Sequence, residues 1–120
     1  MAKRVMMVDD SKSTRSMVAF TLRRAGYEVL EAENGDQALS VIGGIQVDCV
    51  ITDINMPVMN GLELIRKMRA SPAHRTTPIL MLTTATDVAK KEEGQIAGAT
   101  GWLGKPFLPA HLIEAVARIL

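Results

Sequence analysis

The feature that most constrains the fold of this chain is a regular alternation of short apolar runs with longer segments of helical periodicity. The apolar runs are KRVMMV, YEVLEA, VDCVIT, PILMLT and the weaker GWLG, and a helical segment follows each. This alternation predicts an α/β protein with a parallel sheet covered by helices on both faces. The length of 120 residues suits one domain, and we find no internal repeat or Pro/Gly/Ser-rich linker. We therefore expect a single domain over residues 1–120 with no attached output domain.

The helices carry recognisable ends and faces. The first should end at Gly26 and bury a stripe of six residues, Thr14, Met17, Val18, Thr21, Leu22 and Ala25, opposite a polar face of Lys12, Arg15 and Arg23. Asn34 and Asn60 are predicted N-caps of the second and third helices. The last helix should begin at Pro109 and bury Leu112, Ile113, Val116, Ala117 and Leu120.

The fourth helical segment, DVAKKEEGQIAGAT, has few and small apolar residues. Gly94 in its middle costs about 1 kcal/mol relative to alanine. Two interpretations stay open: an ordinary solvated helix, or a mobile one suited to switching, because segments with few buried contacts open most easily.

Composition limits the classes of partner. Fourteen basic residues against thirteen acidic ones, with no basic run, argue against direct binding to nucleic acid or anionic membranes. The N-terminal MAKRVMMVDD meets an acidic pair before any signal-peptide core could form, which favours a cytoplasmic protein. Cys49 lies within the run VDCVI, where it is expected to be a small buried hydrophobe.

Polar residues collect where the predicted strands end. Because parallel strands present their carboxyl ends at one edge of the sheet, these side chains should meet there. The residues concerned are Asp9 and Asp10 after the first strand, Asp53 after the third, Thr83 and Thr84 at the end of the fourth, and Lys105 after the fifth.

Such a cluster of carboxylates calls for a cation. Two carboxylates about 4 Å apart repel by about 4 kcal/mol at an effective dielectric constant of about 20. A site rich in oxygen and without imidazole or thiol suits Mg²⁺ or Mn²⁺. Taken singly, the residues have simpler explanations: Asp9 and Asp10 could cap a helix, Asp53 could begin a turn, and Lys105 could be a surface charge. Their joint placement instead favours phosphoryl transfer to a carboxylate, which needs alignment and positive charge around the phosphoryl oxygens.

The motifs VDDS, ITDINMPVMNG, LTT and GKPF together resemble the receiver domains of response regulators, and the similarity to CheY-type chemotaxis regulators extends along nearly the whole chain. The resemblance implies a flavodoxin-like, doubly wound sheet of order 2-1-3-4-5 in three layers. It implies Asp53 as phosphoacceptor, Mg²⁺ bound by Asp10, Asp53 and the backbone carbonyl of Asn55, and Asp9 acting mainly through water. Thr83 would bond a phosphoryl oxygen, Lys105 would pair with the phosphoryl group, and the peptide bond before Pro106 would be cis.

The resemblance also implies a switch in which the Thr83 hydroxyl moves toward the phosphoryl group and an aromatic side chain turns inward. Trp102 holds the aromatic position, where Tyr or Phe is commoner, and the alternative that Trp102 is plain core stays open. Asn55 and Ala85 occupy the two positions that tune water access to the aspartyl phosphate in the family. The output surface would be the fourth helix, fifth strand and fifth helix, around Lys90, Lys91, Gly98, Trp102 and Ala110.

The implied protein is a signalling protein rather than an enzyme, although it would catalyse its own phosphorylation and dephosphorylation. It would be a monomer when unphosphorylated, take phosphate from a CheA-like histidine kinase and bind a downstream target such as the flagellar motor switch, with a phosphatase as a further partner. A phosphorelay intermediate or phosphate sink is an alternative.

Two other function classes are weighed from the residues. A Mg²⁺ phosphatase of the haloacid dehalogenase type would carry its Asp-x-Asp motif after the first strand, whereas here Asp53 and Asn55 follow the third. An FMN carrier of the same fold would need a phosphate-binding loop after the first strand, and Asp9 and Asp10 would repel that phosphate.

Overall fold

A computed structural model describes residues 2–84 and 88–120. Five parallel strands form one sheet in the order β2-β1-β3-β4-β5, as predicted. The strands are β1 (Arg4–Val8), β2 (Glu28–Ala32), β3 (Cys49–Asp53), β4 (Ile79–Thr84) and β5 (Gly101–Lys105). The helices are α1 (Lys12–Arg24), α2 (Gly35–Ile42), α3 (Gly61–Ala70), α4 (Val88–Ala97) and α5 (Pro109–Ile119). The chain adds β2 on one side of β1 and β3 on the other side. This change of side places a crevice at the carboxyl ends of β1 and β3.

The core has two layers, one on each face of the sheet. Alternate residues of β1 supply both, since Met6 and Val8 join the layer under α2 and α3, whereas Val5 and Met7 join the layer under α1 and α5. The central strands are therefore apolar on both faces, as parallel strands between helices must be. Cys49 is fully buried, as expected, and burial raises the pKa of its thiol to about 12, so that it stays protonated at neutral pH.

The predicted helix ends are correct. The side chains of Asn34 and Asn60 accept hydrogen bonds from the backbone amides of Gln37 and Glu63, at 2.8 and 2.9 Å. These bonds satisfy amide groups that the first turn of a helix leaves without partners. Gly26 follows α1 with a φ of +100°, a left-handed conformation in which glycine is not strained.

Two predicted helix faces need correction. In α1, Met17 and Ala25 are exposed, and Ala19 is buried beside Val18 and Leu22. In α5 the line of Leu112 and Val116 faces the sheet, whereas Ile113 and Ala117 are exposed. Both helices contain more small and apolar residues than one face can hold, so periodicity alone does not determine which of them meet the sheet.

Helix α4 forms, but it is buried at only one of its residues, Gly94. A Cβ atom built on Gly94 would lie 2.0 Å from Sδ of Met81, a fully buried side chain of β4. The glycine that weakens the helix in isolation therefore lets it approach the sheet. Within the described residues, no helix combines the length and the apolar character that crossing a bilayer requires.

Candidate functional site

The predicted polar residues converge at the carboxyl edge of the sheet. Asp9 directly follows β1, whereas Asp53 and Lys105 are the last residues of β3 and β5. Asp53 is in register with Leu82 of β4, and Thr83 with Gly104 of β5. Parallel pairing thus sets the distances between side chains that lie far apart in the sequence.

Three carboxylates form the centre of the site. Asp9, Asp10 and Asp53 each offer a carboxylate oxygen, and these three atoms lie within 4.8 Å of one another. Asp9 is buried, Asp53 is partly buried and Asp10 is exposed, so the cluster opens toward solvent on one side. Hard oxygen donors at this spacing fit Mg²⁺ or Mn²⁺, which take carboxylates and keep several waters.

Lys105 supplies positive charge to this cluster. Its ammonium lies 3.4 Å from Oδ2 of Asp9 and 3.3 Å from Oδ1 of Asp53. One ammonium against three carboxylates leaves the four groups with an excess of negative charge, which a divalent cation would balance. The peptide bond from Lys105 to Pro106 is cis.

Asp9 is fully buried, and this burial raises the pKa of its carboxyl group. The charge of Asp53 acts in the same direction, whereas the amide of Ser11 and the ammonium of Lys105 oppose it. The Ser11 amide donates to Oδ1 of Asp9 at 2.9 Å. The most buried member of the cluster therefore holds its proton more tightly than an exposed aspartate does.

The surroundings of Asp53 fix its backbone and leave its carboxylate accessible. The Thr52 hydroxyl donates to the Asp53 carbonyl oxygen at 2.8 Å, and the Ile54 amide donates to Oδ1 at 2.9 Å. A Cβ atom on Gly61 would lie 2.2 Å from that carbonyl oxygen, so the start of α3 requires glycine there. The side chain of Asp53 is 13% exposed, so it is partly accessible from solvent.

The loop after Asp53 contains a strained turn. Val58 has a φ of +69° and is 80% exposed, and the Met59 amide donates to the Pro57 carbonyl at 2.8 Å. This three-residue turn is uncommon, and a β-branched residue at its centre is strained. No pattern in the sequence singles out Val58.

The family of the chain follows from its sequence as well as from this geometry. The sequence profile described as "Response regulator receiver domain" matches residues 5–117. The chain belongs to the receiver-domain family of response regulators. Its fold, sheet order and acidic crevice are those of a receiver, and receivers are signalling proteins rather than conventional enzymes.

Two curated proteins illustrate the range of its relatives. The chemotaxis protein CheY1 of Helicobacter pylori strain J99 is 40% identical over 119 residues, covering 98% of this chain and 96% of CheY1. The phosphate regulon transcriptional regulatory protein PhoB of Pseudomonas aeruginosa is 36% identical over 118 residues, covering 98% of this chain. This receiver spans only 52% of the length of PhoB.

Solved structures of a response regulator and of a receiver domain share the fold of this chain. The chemotaxis response regulator CheY4 of Vibrio cholerae matches with a TM-score of 0.95 and 48% identity, covering all of both chains. The receiver domain of the sensor histidine kinase PA1611 from P. aeruginosa matches with a TM-score of 0.91 and 28% identity over 99% of this chain and 98% of that one. That structure is described with a magnesium ion coordinated in the active-site cleft.

The residues expected to switch lie around one cleft of this receiver. A cavity of about 340 Å³ is lined by Thr83, Thr84, Val88, Lys91, Trp102, Gly104, Lys105 and Pro106. Thr83 is buried, whereas Trp102 is 43% exposed, so Trp102 is not plain core. The Lys91 ammonium lies 4.0 Å from the centroid of the Trp102 ring, a cation–π contact. The indole is thus held at the surface beside the cleft that leads to Thr83 and Lys105.

The expected output residues follow the same side of the fold. Lys90 and Lys91 are half-buried on α4, Gly98 follows that helix, and Trp102 and Ala110 are exposed on β5 and α5. The Lys90 ammonium donates to the Asn55 side-chain oxygen and so joins α4 to the loop after Asp53. Ala85, the other position expected to tune water access, lies outside the described residues.

Sequence reasoning did not predict the contacts that Arg15 and Lys90 make with the site. Arg15 was assigned to the polar face of α1, yet its side chain is only 15% exposed and donates to the Asp9 carbonyl. Both residues reach the site from a neighbouring element by the length of their side chains. A local pattern of residue types gives no signal for such contacts.

Proposed function

We propose that Asp53 accepts a phosphoryl group from a phosphohistidine of a histidine kinase, and that the phosphorylated receiver signals by binding another protein. An Asp53 carboxylate oxygen attacks phosphorus, the bond between phosphorus and the donor imidazole nitrogen breaks, and its electron pair leaves with that nitrogen. The observation that carries the proposal is the meeting of three carboxylates within 4.8 Å, with Lys105 3.3 Å from Asp53, in a receiver fold.

The residues present fit a divalent metal. Asp10, Asp53 and the backbone carbonyl of Asn55 would hold Mg²⁺ or Mn²⁺ directly, and Asp9 would act mainly through water. The metal would supply positive charge at the phosphoryl oxygens, the main requirement of phosphoryl transfer. Lys105, already paired with Asp53, would contact another phosphoryl oxygen, and the Thr83 hydroxyl would bond a third.

Phosphorylation would change the surface through charge. A phosphoryl group adds strong negative charge and acceptor oxygens that compete for Lys105 and Thr83. As Thr83 moves toward the phosphoryl group, the cleft beside it would admit the Trp102 ring. The surface of α4, β5 and α5, including Lys90, Lys91, Gly98 and Ala110, would then present a different shape to a partner.

The direct test is labelling with acetyl phosphate, followed by intact mass. We expect one phosphoryl group per chain in the presence of Mg²⁺, none after chelation, and none in Asp53→Ala. Asp36→Ala removes an exposed aspartate on α2 and should label like the wild type. Labelling that survives Asp53→Ala refutes the site. Steady turnover of phosphomonoesters would favour a phosphatase, and a yellow purified protein would favour a flavin carrier.

A chemotactic role is the more specific part of the proposal, supported by the similarity to CheY1 and CheY4 over nearly their full lengths. In that role a CheA-like kinase would be the donor and the flagellar motor switch the target, with the receiver acting in the cytoplasm as a monomer. Pull-down with the beryllofluoride-activated protein should then capture a motor-switch protein. Capture of a histidine phosphotransfer protein alone, with return of phosphate to it, would indicate a relay intermediate or phosphate sink.

A further inference from the structure

Asp9 is held through every one of its polar atoms. Its amide donates to the Ala32 carbonyl on β2 at 3.1 Å, and its two carboxylate oxygens meet the Ser11 amide and Lys105. Its remaining polar atom, the carbonyl oxygen, accepts a hydrogen bond from Nη1 of Arg15 at 2.8 Å. The Arg15 bond differs from the others because it acts on the peptide group that leads to Asp10.

Arg15 is itself fixed from a second side. It projects from the first turns of α1, with 15% of its side chain exposed, and its Nε lies 3.6 Å from Oε1 of Glu31 on β2. The other oxygen of Glu31 lies 3.5 Å from Nη2 of Arg23. The planar guanidinium is therefore held between the Glu31 carboxylate and the end of β1, a geometry that several donors on one rigid group allow.

We propose that Arg15 is a positioning residue that orients Asp10 toward the metal site. The Asp9 carbonyl and the Asp10 amide belong to one planar peptide unit, so a bond that fixes the direction of the carbonyl also fixes the starting direction of Asp10. Asp10 is the exposed member of the carboxylate cluster. Its carboxylate must still lie within reach of Asp9 and Asp53, and Arg15 restrains the backbone from which it projects.

This inference rests on the proposed metal site and concerns affinity for the ion. Groups that orient metal ligands without touching the metal typically contribute about 10- to 100-fold to affinity. Because Arg15 contacts a backbone carbonyl rather than a ligand oxygen, we expect an effect near the lower end, about tenfold. Glu31 should contribute less, since it acts only through Arg15.

The test is a titration of the full chain with Mn²⁺, in which the free ion is measured by electron paramagnetic resonance. Arg15→Gln should raise the Mn²⁺ dissociation constant about tenfold. Arg15→Lys should give an intermediate value, because an ammonium can donate to the Asp9 carbonyl but cannot span to Glu31 as well. Arg23→Gln is the matched control, since Arg23 pairs with the same Glu31 without contacting Asp9, and should bind Mn²⁺ like the wild type.

The outcomes separate this inference from the proposed function. Wild-type protein that binds no Mn²⁺, or binds it equally well after Asp10→Asn, refutes the metal site and with it the role of Arg15. A normal wild-type constant that Arg15→Gln leaves unchanged, even with a lower melting temperature, shows that Arg15 only stabilises the fold. If Arg15→Gln does not fold, Glu31→Gln should show a smaller loss in the same direction, and an unchanged constant there overturns the inference.

Discussion

Asp9 is the buried carboxylate of the acidic cluster. Its exposure is 0%, and loss of hydration is the largest influence on its carboxyl group. Lys105 and the Ser11 amide offset part of this cost, whereas Asp53 adds repulsion. The ionised form of Asp9 therefore lowers the stability of the metal-free receiver.

The burial of the Asp9 carboxylate predicts that Asp9→Asn raises the melting temperature by an amount that depends on pH. Because the folded-state pKa of Asp9 is raised above 3.8, the folded protein binds this proton more tightly than the unfolded chain. The resulting stabilisation is present below pH 3.8 and is lost as the pH rises through the folded-state pKa. Without metal at pH 7, Asp9→Asn should therefore melt above the wild type, and this difference in melting temperature should shrink as the pH falls toward 3.8.

Thermal unfolding in a chelating buffer at several pH values provides this measurement. Glu92→Gln, at an exposed position of α4, is the control and should change stability by less than about 0.5 kcal/mol. Mg²⁺ should reduce the difference in melting temperature between Asp9→Asn and the wild type. The ion attracts the Asp9 carboxylate, whereas the amide of the variant carries no charge. An Asp9→Asn protein that melts below the wild type at pH 7 contradicts this account of Asp9.

Helix α4 contacts the sheet and the surroundings of the site through three of its residues. Gly94 meets Met81 of β4, Lys90 contacts Asn55, and Lys91 contacts Trp102. Two of these contacts are made by charged side chains to groups beside the proposed phosphorylation site. A change of charge at Asp53 would therefore act on α4 through the contacts of Lys90 and Lys91.

The packing contact predicts that Gly94→Ala destabilises the protein although it improves helix propensity. Overpacking against buried Met81 typically costs about 1–3 kcal/mol, against a gain of about 1 kcal/mol from alanine. We expect a net loss of about 1 kcal/mol in urea unfolding. Met81→Val should partly relieve the clash, so the double variant should lose less than the sum of the single ones.

The matched control for Gly94→Ala is Gly44→Ala, where a Cβ atom would meet no atom within 4 Å. This substitution should be neutral or stabilising, because alanine restricts the unfolded chain. Equal effects at Gly94 and Gly44 would mean that α4 does not pack on β4 as closely as described.

The contact between Lys91 and Trp102 predicts a fluorescence change, and Trp102 is the single tryptophan of the sequence. A cation–π contact at an exposed site contributes about 0.5–1 kcal/mol, which corresponds to a two- to fivefold change in population. Lys91→Ala should therefore raise the share of inward indole, seen as emission at shorter wavelength and weaker quenching by acrylamide. Lys90→Ala, which keeps the contact, should behave like the wild type, and identical spectra for all three proteins would contradict the role of Lys91.

The elements were predicted from the sequence more fully than their contacts. Periodicity and capping predicted the five strands and the starts of α2 and α3, because these depend on residues close in the chain. The sheet order depends on pairing between distant strands, and its prediction came from the resemblance to receiver domains. Gly94 was interpreted as a weakness, since its contact with Met81 depends on how α4 packs. Arg15 was assigned to the polar face of α1 for the same reason, because its partners are Asp9, which follows β1, and Glu31 on β2.

At the scale of the whole molecule, the sheet brings together residues from the two ends of the chain. Asp9 and Lys105 are separated by 96 residues in the sequence, yet their side chains form an ion pair in the crevice. The two core layers cover both faces of β1 and β3, whereas α4 and β5 at the edge are less buried. This division suits a receiver, in which a fixed site acts on a surface that can change.

The most direct test of this account is a crystal structure of the protein with Mg²⁺ and beryllofluoride, a mimic of the aspartyl phosphate. We expect beryllofluoride on a carboxylate oxygen of Asp53 and a Mg²⁺ ion contacting Asp10, Asp53 and the carbonyl of Asn55. Lys105 and Thr83 should each contact a fluorine atom. Beryllofluoride on another residue, or an ion away from a cluster in which Asp10 and Asp53 point apart, would contradict the account.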